Sequence, residues 1–441
     1  MRSDIREWLD AHINMELGSV GVVAGRDRIG APTLDRMLAL SAYLGSPELD
    51  LDGIHITGTN GKTSVARMVT SLLIASGRSV GTYSSPHLER VNERIAINGE
   101  PISDRDLDEE LAAVRLAEDA AFAGTGTQPS YFEILTAAGF RHFNDEAVEA
   151  AVIEVGMGGT WDATNVMSGL VAVVTNVEID HVAYLGTTRE AIAREKAGII
   201  DEGAVLVLGE TDVDLQPIFA ATPAGFTLRA DVDFSVRSAQ LAHGGRLLTL
   251  ESSGRVVDDV FLQLHGAHQA RNAAIALAAA DAFVGDPLHE DVVREAFATV
   301  TSPGRLEVMS REPLVLLDGA HNVAGMEALR RALDEEFGHA ERTLVVGFLQ
   351  EKDPEEMLRA LGLSDCRHVI CVRPPSPRAL DPKEVANAAT RIRGPLLRVE
   401  VAEDMATALS LAEGVTLDDG QIVVCGSLYV VGAARSILRR G

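Results

Sequence analysis

Aromatic residues are scarce in this chain: Phe, Trp and Tyr make up 4% of it, while hydrophobic residues as a whole reach 46%. Its cores must be filled mainly by Val, Leu, Ile and Ala. Cysteine is scarcer still, with three residues, Cys366, Cys371 and Cys425, all late in the chain. An odd count without metal-type spacing excludes a disulfide framework and implies a reducing compartment. Cys371 and Cys425 lie inside apolar runs and read as buried structural thiols. No run of about 18 apolar residues is present, which excludes a membrane-spanning helix. The opening Met1-Arg-Ser-Asp-Ile-Arg-Glu7 leads into no long apolar stretch, so no signal peptide is expected and the cytoplasm is the expected location. Basic residues are outnumbered, 39 against 65 acids, for a formal charge of −26. Such a surface argues against nucleic acid or an anionic membrane as partner. An anionic ligand must then be held by local basic groups and metal ions. Internal repeats and low-complexity tracts are also missing.

What is present is a long alternation of apolar strands and helical segments. At 441 residues the chain exceeds one ordinary core and implies two or three domains. Ile54–Thr57, Ser79–Tyr83, Ala151–Val155 and Val171–Thr175 read as buried strands; Thr63–Ser76, Asp104–Ala123 and Thr188–Ile199 read as helices. The alternation predicts an α/β fold with a doubly wound, mostly parallel sheet. From Val205 to Leu264 shorter alternating runs with glycine turns predict a small antiparallel appendage, followed by an alanine-rich helix over His268–Ala282. Thr301-Ser-Pro-Gly304 marks the expected domain boundary, giving residues 1–300 and 301–441. The second part repeats the α/β pattern, with strands at Leu314–Leu317, Thr343–Val346, His368–Val372, Leu397–Val399 and Gln421–Cys425.

Chemistry concentrates after the strands. His55-Ile-Thr-Gly-Thr-Asn-Gly-Lys-Thr-Ser64 reads as a strand turning through a glycine-rich loop into a helix. Such a loop stacks backbone N–H groups on a helix N-terminus, where phosphate is favoured. Lys62 can reach terminal phosphates, and the hydroxyl of Thr63 or Ser64 can sit by Mg²⁺. The loop is a variant of the standard pattern, because Ile56 occupies the first glycine position and the glycine present is Gly58. In open α/β sheets ligands lie beyond the carboxyl ends of strands. Ser85, Glu154 and His181 all fall at such ends and form an oxygen and nitrogen set suited to Mg²⁺ with phosphate oxygens. Glu154 is a lone acid in an apolar strand, a position that calls for a partner or a metal. Lys196 lies on a helix, where a surface lysine is the ordinary reading; desolvated near a metal it can lose its proton and take up carbon dioxide as a carbamate. In the second part Asp318-Gly-Ala-His-Asn322 follows a strand, placing Asp318 for ribose hydroxyls and His321 for a carboxylate or phosphate. Arg305, at the domain junction, can reach a nucleotide phosphate.

In chain order, Thr57-Gly-Thr-Asn-Gly-Lys62, Ser84-Ser-Pro-His-Leu88, Asn92-Glu-Arg94, Glu154-Val-Gly-Met-Gly-Gly159, Asp162-Ala-Thr-Asn165, Asp180-His181, Arg194-Glu-Lys-Ala-Gly198, His268-Gln-Ala-Arg-Asn272, Pro303-Gly-Arg305, Asp318-Gly-Ala-His-Asn322 and Gly426-Ser-Leu-Tyr429 resemble the Mur-ligase superfamily. Within it they are most similar to the folylpolyglutamate synthase/dihydrofolate synthase family. The resemblance implies a P-loop Mur-ligase-like ATP-binding domain and a smaller Rossmann-like C-terminal domain. It implies an ATP-dependent ligase that converts a pterin or folate carboxylate to an acyl phosphate, which the amine of L-glutamate attacks. It assigns nucleotide contacts to Gly58, Thr59, Asn60, Gly61, Lys62, Thr63, Ser64, Asn272, Arg305 and Asp318. Mg²⁺, two ions in all, goes to Ser85, Glu154 and His181, beside a carbamylated Lys196. Catalytic roles are implied for Lys62, Lys196, His181 and His321. The pterin surface maps to Arg28, Tyr131, Phe132, Trp161, Asp162 and Ala163, and the incoming glutamate to His321 and Ser427. Small-molecule substrates, a monomer, and no nucleic-acid or membrane partner are expected.

Three departures stand out. Thr63 replaces the usual glycine of the folate branch, Thr160-Trp161 replaces Arg-Leu, and Val22–Ile29 matches only loosely. The last two keep open a Mur-type ligase acting on a non-folate carboxylate, such as a cell-wall or cofactor precursor. A switch-type NTPase leaves Asp318 and His321 without a role. A nicotinamide dehydrogenase needs a third glycine where Trp161 stands. A catalytically dead scaffold is opposed by the presence of Lys62, Glu154, His181 and Lys196.

Overall fold

A computed structural model describes residues 4–14, 16, 33–123, 128–338, 341–394 and 397–440. The chain divides into two compact units. One comprises Met1–Gln240, Leu247–Gln263 and Gln269–Val300; the other comprises Leu241–Arg246, Leu264–His268 and Thr301–Gly441.

The main sheet of the first unit contains β1 (Gly53–Thr57), β2 (Val80–Tyr83), β3 (Ile95–Ile97), β4 (Glu100–Pro101), β5 (Ala150–Glu154), β6 (Gly169–Val174), β7 (Val205–Leu208) and β8 (Phe226–Arg229). Their order is β4-β3-β2-β5-β1-β6-β7-β8. Pairings from β2 through β8 are parallel, and β3 and β4 form an antiparallel edge. A separate three-stranded sheet joins β9 (Ser235–Ala242), β10 (Gly245–Ser252) and β11 (Arg255–Leu262). The helices are α1 (Asp4–Asp10), α2 (Asp35–Tyr43), α3 (Lys62–Ala75), α4 (Asp104–Ala121), α5 (Tyr131–Asp145), α6 (Val182–Leu185), α7 (Arg189–Ala197), α8 (Gln216–Ala220), α9 (Ala267–Val284) and α10 (Glu290–Thr299).

β1 is buried at every position, His55 included. A central parallel strand covered on both faces reads as continuous rather than alternating burial. One core gathers α2, α4 and α5 through Leu40, Leu111 and Phe140. Another gathers α7 and α8 through Ile192 and Phe219. α5 begins at a capping box: Ser130 Oγ accepts from Glu133 N–H at 3.2 Å, and the Ser130 N–H donates to Glu133 Oε2 at 2.6 Å.

The expected antiparallel appendage begins later than its sequence pattern implied. Val205–Leu208 and Phe226–Arg229 extend the parallel sheet, and only Ser235–Leu262 is antiparallel. The physical reason is visible in the burial. Val205-Leu-Val-Leu208 is an unbroken apolar run and takes a covered position, whereas β10 alternates between buried and half-buried residues.

The second unit carries β12 (Glu307–Arg311), β13 (Leu314–Leu317), β14 (Arg342–Val346), β15 (Cys366–Cys371), β16 (Arg398–Val401) and β17 (Gln421–Cys425), in the order β12-β13-β17-β14-β15-β16. Only the β12–β13 pairing is antiparallel. Around it lie α11 (Val323–Glu336), α12 (Pro354–Leu361), α13 (Pro382–Arg393), α14 (Met405–Val415) and α15 (Leu428–Leu438). The three cysteines are free and buried in this unit. Among the described residues no helix is long and apolar enough to cross a membrane.

Candidate active site

The glycine-rich loop leaves β1 at Thr57 and enters α3 at Lys62. At Gly58 φ is +152° and an added Cβ would fall 1.8 Å from Thr175 Oγ1, so this position requires glycine. The loop is pinned to the end of β6. Thr175 Oγ1 donates to Asn60 O at 2.6 Å, and the Thr59 and Asn60 N–H groups donate to Asn176 O and Oδ1 at 3.0 and 2.9 Å. Those two amides are therefore occupied, and the first amides of α3 are the candidate donors to an anion. That helix has no side-chain N-cap, and the positive end of its dipole favours an anion there. Lys62 Nζ lies over the loop, 2.9 Å from Gly58 O and 3.5 Å from Thr59 O.

The two hydroxyls after Lys62 separate. Thr63 Oγ1 donates to Glu154 Oε1 at 2.8 Å. Ser64 is buried and accepts from Gln269 Nε2 at 3.3 Å, so its side chain faces α9 rather than the rim. Asn272, one turn further along α9, receives no room for a side chain opposite it: its Oδ1 lies 2.7 Å from where a Cβ on Gly61 would stand. Its Nδ2 donates to Gln269 Oε1 at 3.0 Å.

Glu154 ends β5 and is 1% exposed. Besides Thr63 it accepts the Ser85 N–H, through Oε2, at 3.3 Å. Register explains the meeting: β1 and β5 pair Ile56 with Glu154, and β2 and β5 pair Tyr83 with Ile153, so the chain beyond β2 reaches the same rim. His181 follows β6, takes φ of +51° and starts α6. The Asp180 carboxylate accepts its N–H at 2.8 Å.

Lys196 approaches the same crevice from α7. That helix is docked by the Thr160 N–H, which donates to Glu195 O at 3.1 Å, and by Asn165 Nδ2, which bridges Thr160 O and Gly198 O at 3.1 Å each. Lys196 is 3% exposed. Burial, helped by the neighbouring Lys62 charge, lowers its pKa to about 7, against the opposing pull of Asp180, Glu195 and Asp162. Thr57, Gly58, Lys62, Gly156, Gly158, Asp180, His181 and Lys196 line one crevice.

Beside it, Phe132 and Asp162 flank Gly156. A Cβ there would lie 2.6 Å from Phe132 Cζ and 3.2 Å from Asp162 Oδ2. Trp161 packs partly buried against the α7–α8 core, and Ala163 belongs to the α4–α5 core. Tyr131 is buried, with the Arg94 guanidinium 5.6 Å from its ring centroid. Arg94 is wholly buried and ion-paired with Glu16. Its Nε–H donates to His87 Nδ1 at 3.0 Å, so His87 must carry its proton on Nε2. Arg28 lies outside the described residues.

In the second unit Asp318 follows β13. Its carboxylate accepts the Leu306 and Ala320 N–H groups at 2.9 Å each. Burial raises its pKa, with Arg305 opposing. His321 Nδ1–H donates to Gly319 O at 2.8 Å, which places a proton on Nδ1. Ser427 caps α15, its buried Oγ accepting the Val430 N–H at 3.2 Å.

His55, Thr57 and Arg94 lie inside motifs quoted from the sequence, but residue types alone gave no site role to them, nor to Thr175, Asn176 or Glu16. All act through partners far away in sequence, so local pattern carries no signal for those roles.

A phosphate-type loop on a parallel sheet, a buried rim carboxylate, a buried lysine and a second α/β unit are together the setting in which the family matches fall. Residues 56–280 match the Mur ligase middle domain and residues 304–428 the Mur ligase glutamate ligase domain. The chain is 41% identical to the dihydrofolate synthase/folylpolyglutamate synthase of Mycobacterium tuberculosis, over 93% of this chain and 90% of that one. A Mycobacterium tuberculosis folylpolyglutamate synthase complexed with ADP superposes with a TM-score of 0.91 at 40% identity, covering 99% and 98% of the two chains. An Escherichia coli relative in complex with DHPP and ADP superposes with a TM-score of 0.85 at 26% identity, covering 100% and 99%. The chain belongs to the dihydrofolate synthase/folylpolyglutamate synthase family.

Proposed function

We propose that this protein is an ATP-dependent ligase that joins L-glutamate to dihydropteroate, to folates, or to both, through an acyl phosphate. The observation that carries the reading is the convergence of Lys62, Glu154 with Thr63, and a desolvated Lys196 around one phosphate-type loop. Its support from relatives is direct: one binds ADP and another DHPP with ADP. The first unit takes ATP and the acid, and the second takes much of the glutamate site.

A carboxylate is a poor electrophile, and phosphorylation supplies the leaving group. The first amides of α3 and the Lys62 ammonium hold the phosphates against the repulsion of the attacking carboxylate. Phe132 offers a face for a pterin ring, and Asp162 at its side offers a carboxylate for ring N–H donors. His321, with Nδ1–H tied to Gly319 O, keeps its other ring nitrogen for the incoming amino acid, and Arg305 beside Asp318 serves a nucleotide phosphate. Adenine falls to Asn272.

Ser85, Glu154 and His181 would hold Mg²⁺. The Thr63 hydroxyl and the Glu154 carboxylate meet at 2.8 Å, oxygen groups of the kind that suit an ion which keeps water and phosphate oxygens and takes few protein ligands. When bound, Mg²⁺ neutralises charge on the transferring phosphoryl group. Lys196, neutral above about pH 7, is placed to add to carbon dioxide, giving a carbamate anion and releasing a proton. Three free buried cysteines accord with a cytoplasmic setting.

ADP release should require glutamate and an acid, with turnover on dihydropteroate or tetrahydrofolate and none on a muramyl precursor. Turnover only on the muramyl precursor would defeat the folate assignment. Gly58→Ala should weaken ADP binding at least about tenfold, roughly 1.4 kcal/mol, because the loop must move off Thr175. Calorimetric titration giving an unchanged Kd would show that the loop does not hold phosphate.

A further inference from the structure

His55 is fully buried in the middle of β1, a place where a polar ring needs a reason. Its Nε2 lies 2.8 Å from Thr164 Oγ1. Thr164 Oγ1 lies 2.6 Å from Asp162 Oδ1, which also accepts the Thr164 N–H at 3.1 Å. Asp162 Oδ2 accepts the Met157 N–H at 2.9 Å. His55 Nδ1 is buried and has no hydrogen-bond partner among the described residues.

Those contacts assign the protons. With His55 protonated on Nε2, that N–H donates to Thr164 Oγ, whose own hydrogen goes to the Asp162 carboxylate. The orphan is then an acceptor lone pair. The reverse direction would put a hydrogen on Nδ1 and bury a donor with nothing to receive it, the rarer and costlier case. Burial also lowers the His55 pKa to about 3, keeping the ring neutral.

β1 therefore grips the segment 157–164 at two points. Thr57 Oγ1 donates to Gly158 O at 2.7 Å, and His55 acts through Thr164 on Asp162. Thr57 leads directly into the phosphate-type loop, while Asp162 and Phe132 both flank Gly156, on the acid side proposed above. One strand thus registers the two halves of the site.

We propose that His55 is a positioning residue for the acid substrate, setting the Asp162 carboxylate through a directed His55–Thr164–Asp162 hydrogen-bond relay. This rests on the reading above that Phe132 and Asp162 receive the pterin acid. His55 touches no substrate itself.

The relay uses Nε2, which a glutamine amide reproduces and an asparagine amide does not reach. Steady-state kinetics of the full chain, with dihydropteroate, ATP and glutamate each varied, distinguishes the cases. His55→Asn and the near-isosteric Thr164→Val should raise KM for dihydropteroate about tenfold or more, with KM for ATP changed less than about twofold. His55→Gln should stay within about threefold of the wild type, and the His55→Asn/Thr164→Val double variant should be no worse than either single one. If His55→Asn and His55→Gln behave alike, or if KM for ATP and for the acid rise together, the relay is wrong and His55 is a core residue only. Should His55→Asn not fold, Thr164→Val alone decides: an unchanged acid KM overturns the relay. A wild-type protein inert with every pterin acid would instead overturn the functional reading, and the relay's purpose with it.

Discussion

Lys62→Ala is expected to remove turnover with every acid, a fall of at least about 10²–10³-fold in kcat, the range seen when one preorganised charge-stabilising donor is lost. The chain carries a formal charge of −26, so its general field opposes bringing ATP and a carboxylate together. Local cations must overcome it. Lys62 begins α3 and its ammonium sits over the Gly58 and Thr59 carbonyls, 2.9 and 3.5 Å away. In the function proposed above, the side chain reaches from there to phosphates at the first amides of the helix. Its loss has a second consequence, because Lys62 is one of the two causes that lower the Lys196 pKa. In Lys62→Ala the Lys196 amine should titrate higher and take up carbon dioxide less readily at neutral pH. ADP release measured with dihydropteroate and with tetrahydrofolate tests the main effect. Activity within tenfold of the wild type would show that the loop is not where phosphate is transferred.

Lys196→Ala should lose activity on a similar scale, about 10²-fold or more, and short carboxylic acids such as acetate or propionate should restore part of it by standing in for the proposed carbamate. The sign of the pH dependence follows from the depressed pKa. Below about 7 the buried amine is protonated and cannot add to carbon dioxide; above it the neutral amine can. Bicarbonate should therefore activate carbon-dioxide-depleted enzyme at pH 8 far more than at pH 6. Stability follows the same proton. Between about 7 and the ordinary 10.5 the unfolded chain binds more protons at this residue than the folded one, so its contribution to stability rises with pH across that window. Below 7 both states are protonated and the full cost of burying the charge remains. A fully active Lys196→Ala variant, or one indifferent to added carboxylates, would remove the carbamate from the mechanism.

The residues that announce themselves in the sequence are those whose local pattern is unusual. Gly58 to Lys62 stand out because few uses exist for glycines and a lysine between a buried strand and a helix. Glu154 stands out as an acid in an apolar run, and in the fold it is indeed buried, with Thr63 and Ser85 on its two oxygens. Lys196 did not stand out: on pattern alone a helical lysine is a surface lysine. Its environment is made by the docking of α7 on Thr160 and Asn165 and by the approach of Lys62, none of which is near it in sequence. The Val205–Leu208 strand was misplaced for a related reason. A short apolar run fits either an appendage or a covered sheet strand, and only the neighbours at Val171–Val174 decide.

By itself, the sequence determined the α/β alternation, the phosphate-type loop and the order of motifs along the chain. Each of these is written in periodicity or in residues whose conformational or solvation preferences act within a few positions. The tertiary structure decided which of Thr63 and Ser64 turns to Glu154, which protons His55 and His87 carry, and how far Lys196 is held from water. Those outcomes depend on electrostatic fields and hydrogen-bond partners that strand register brings together, and register couples residues that no local pattern links.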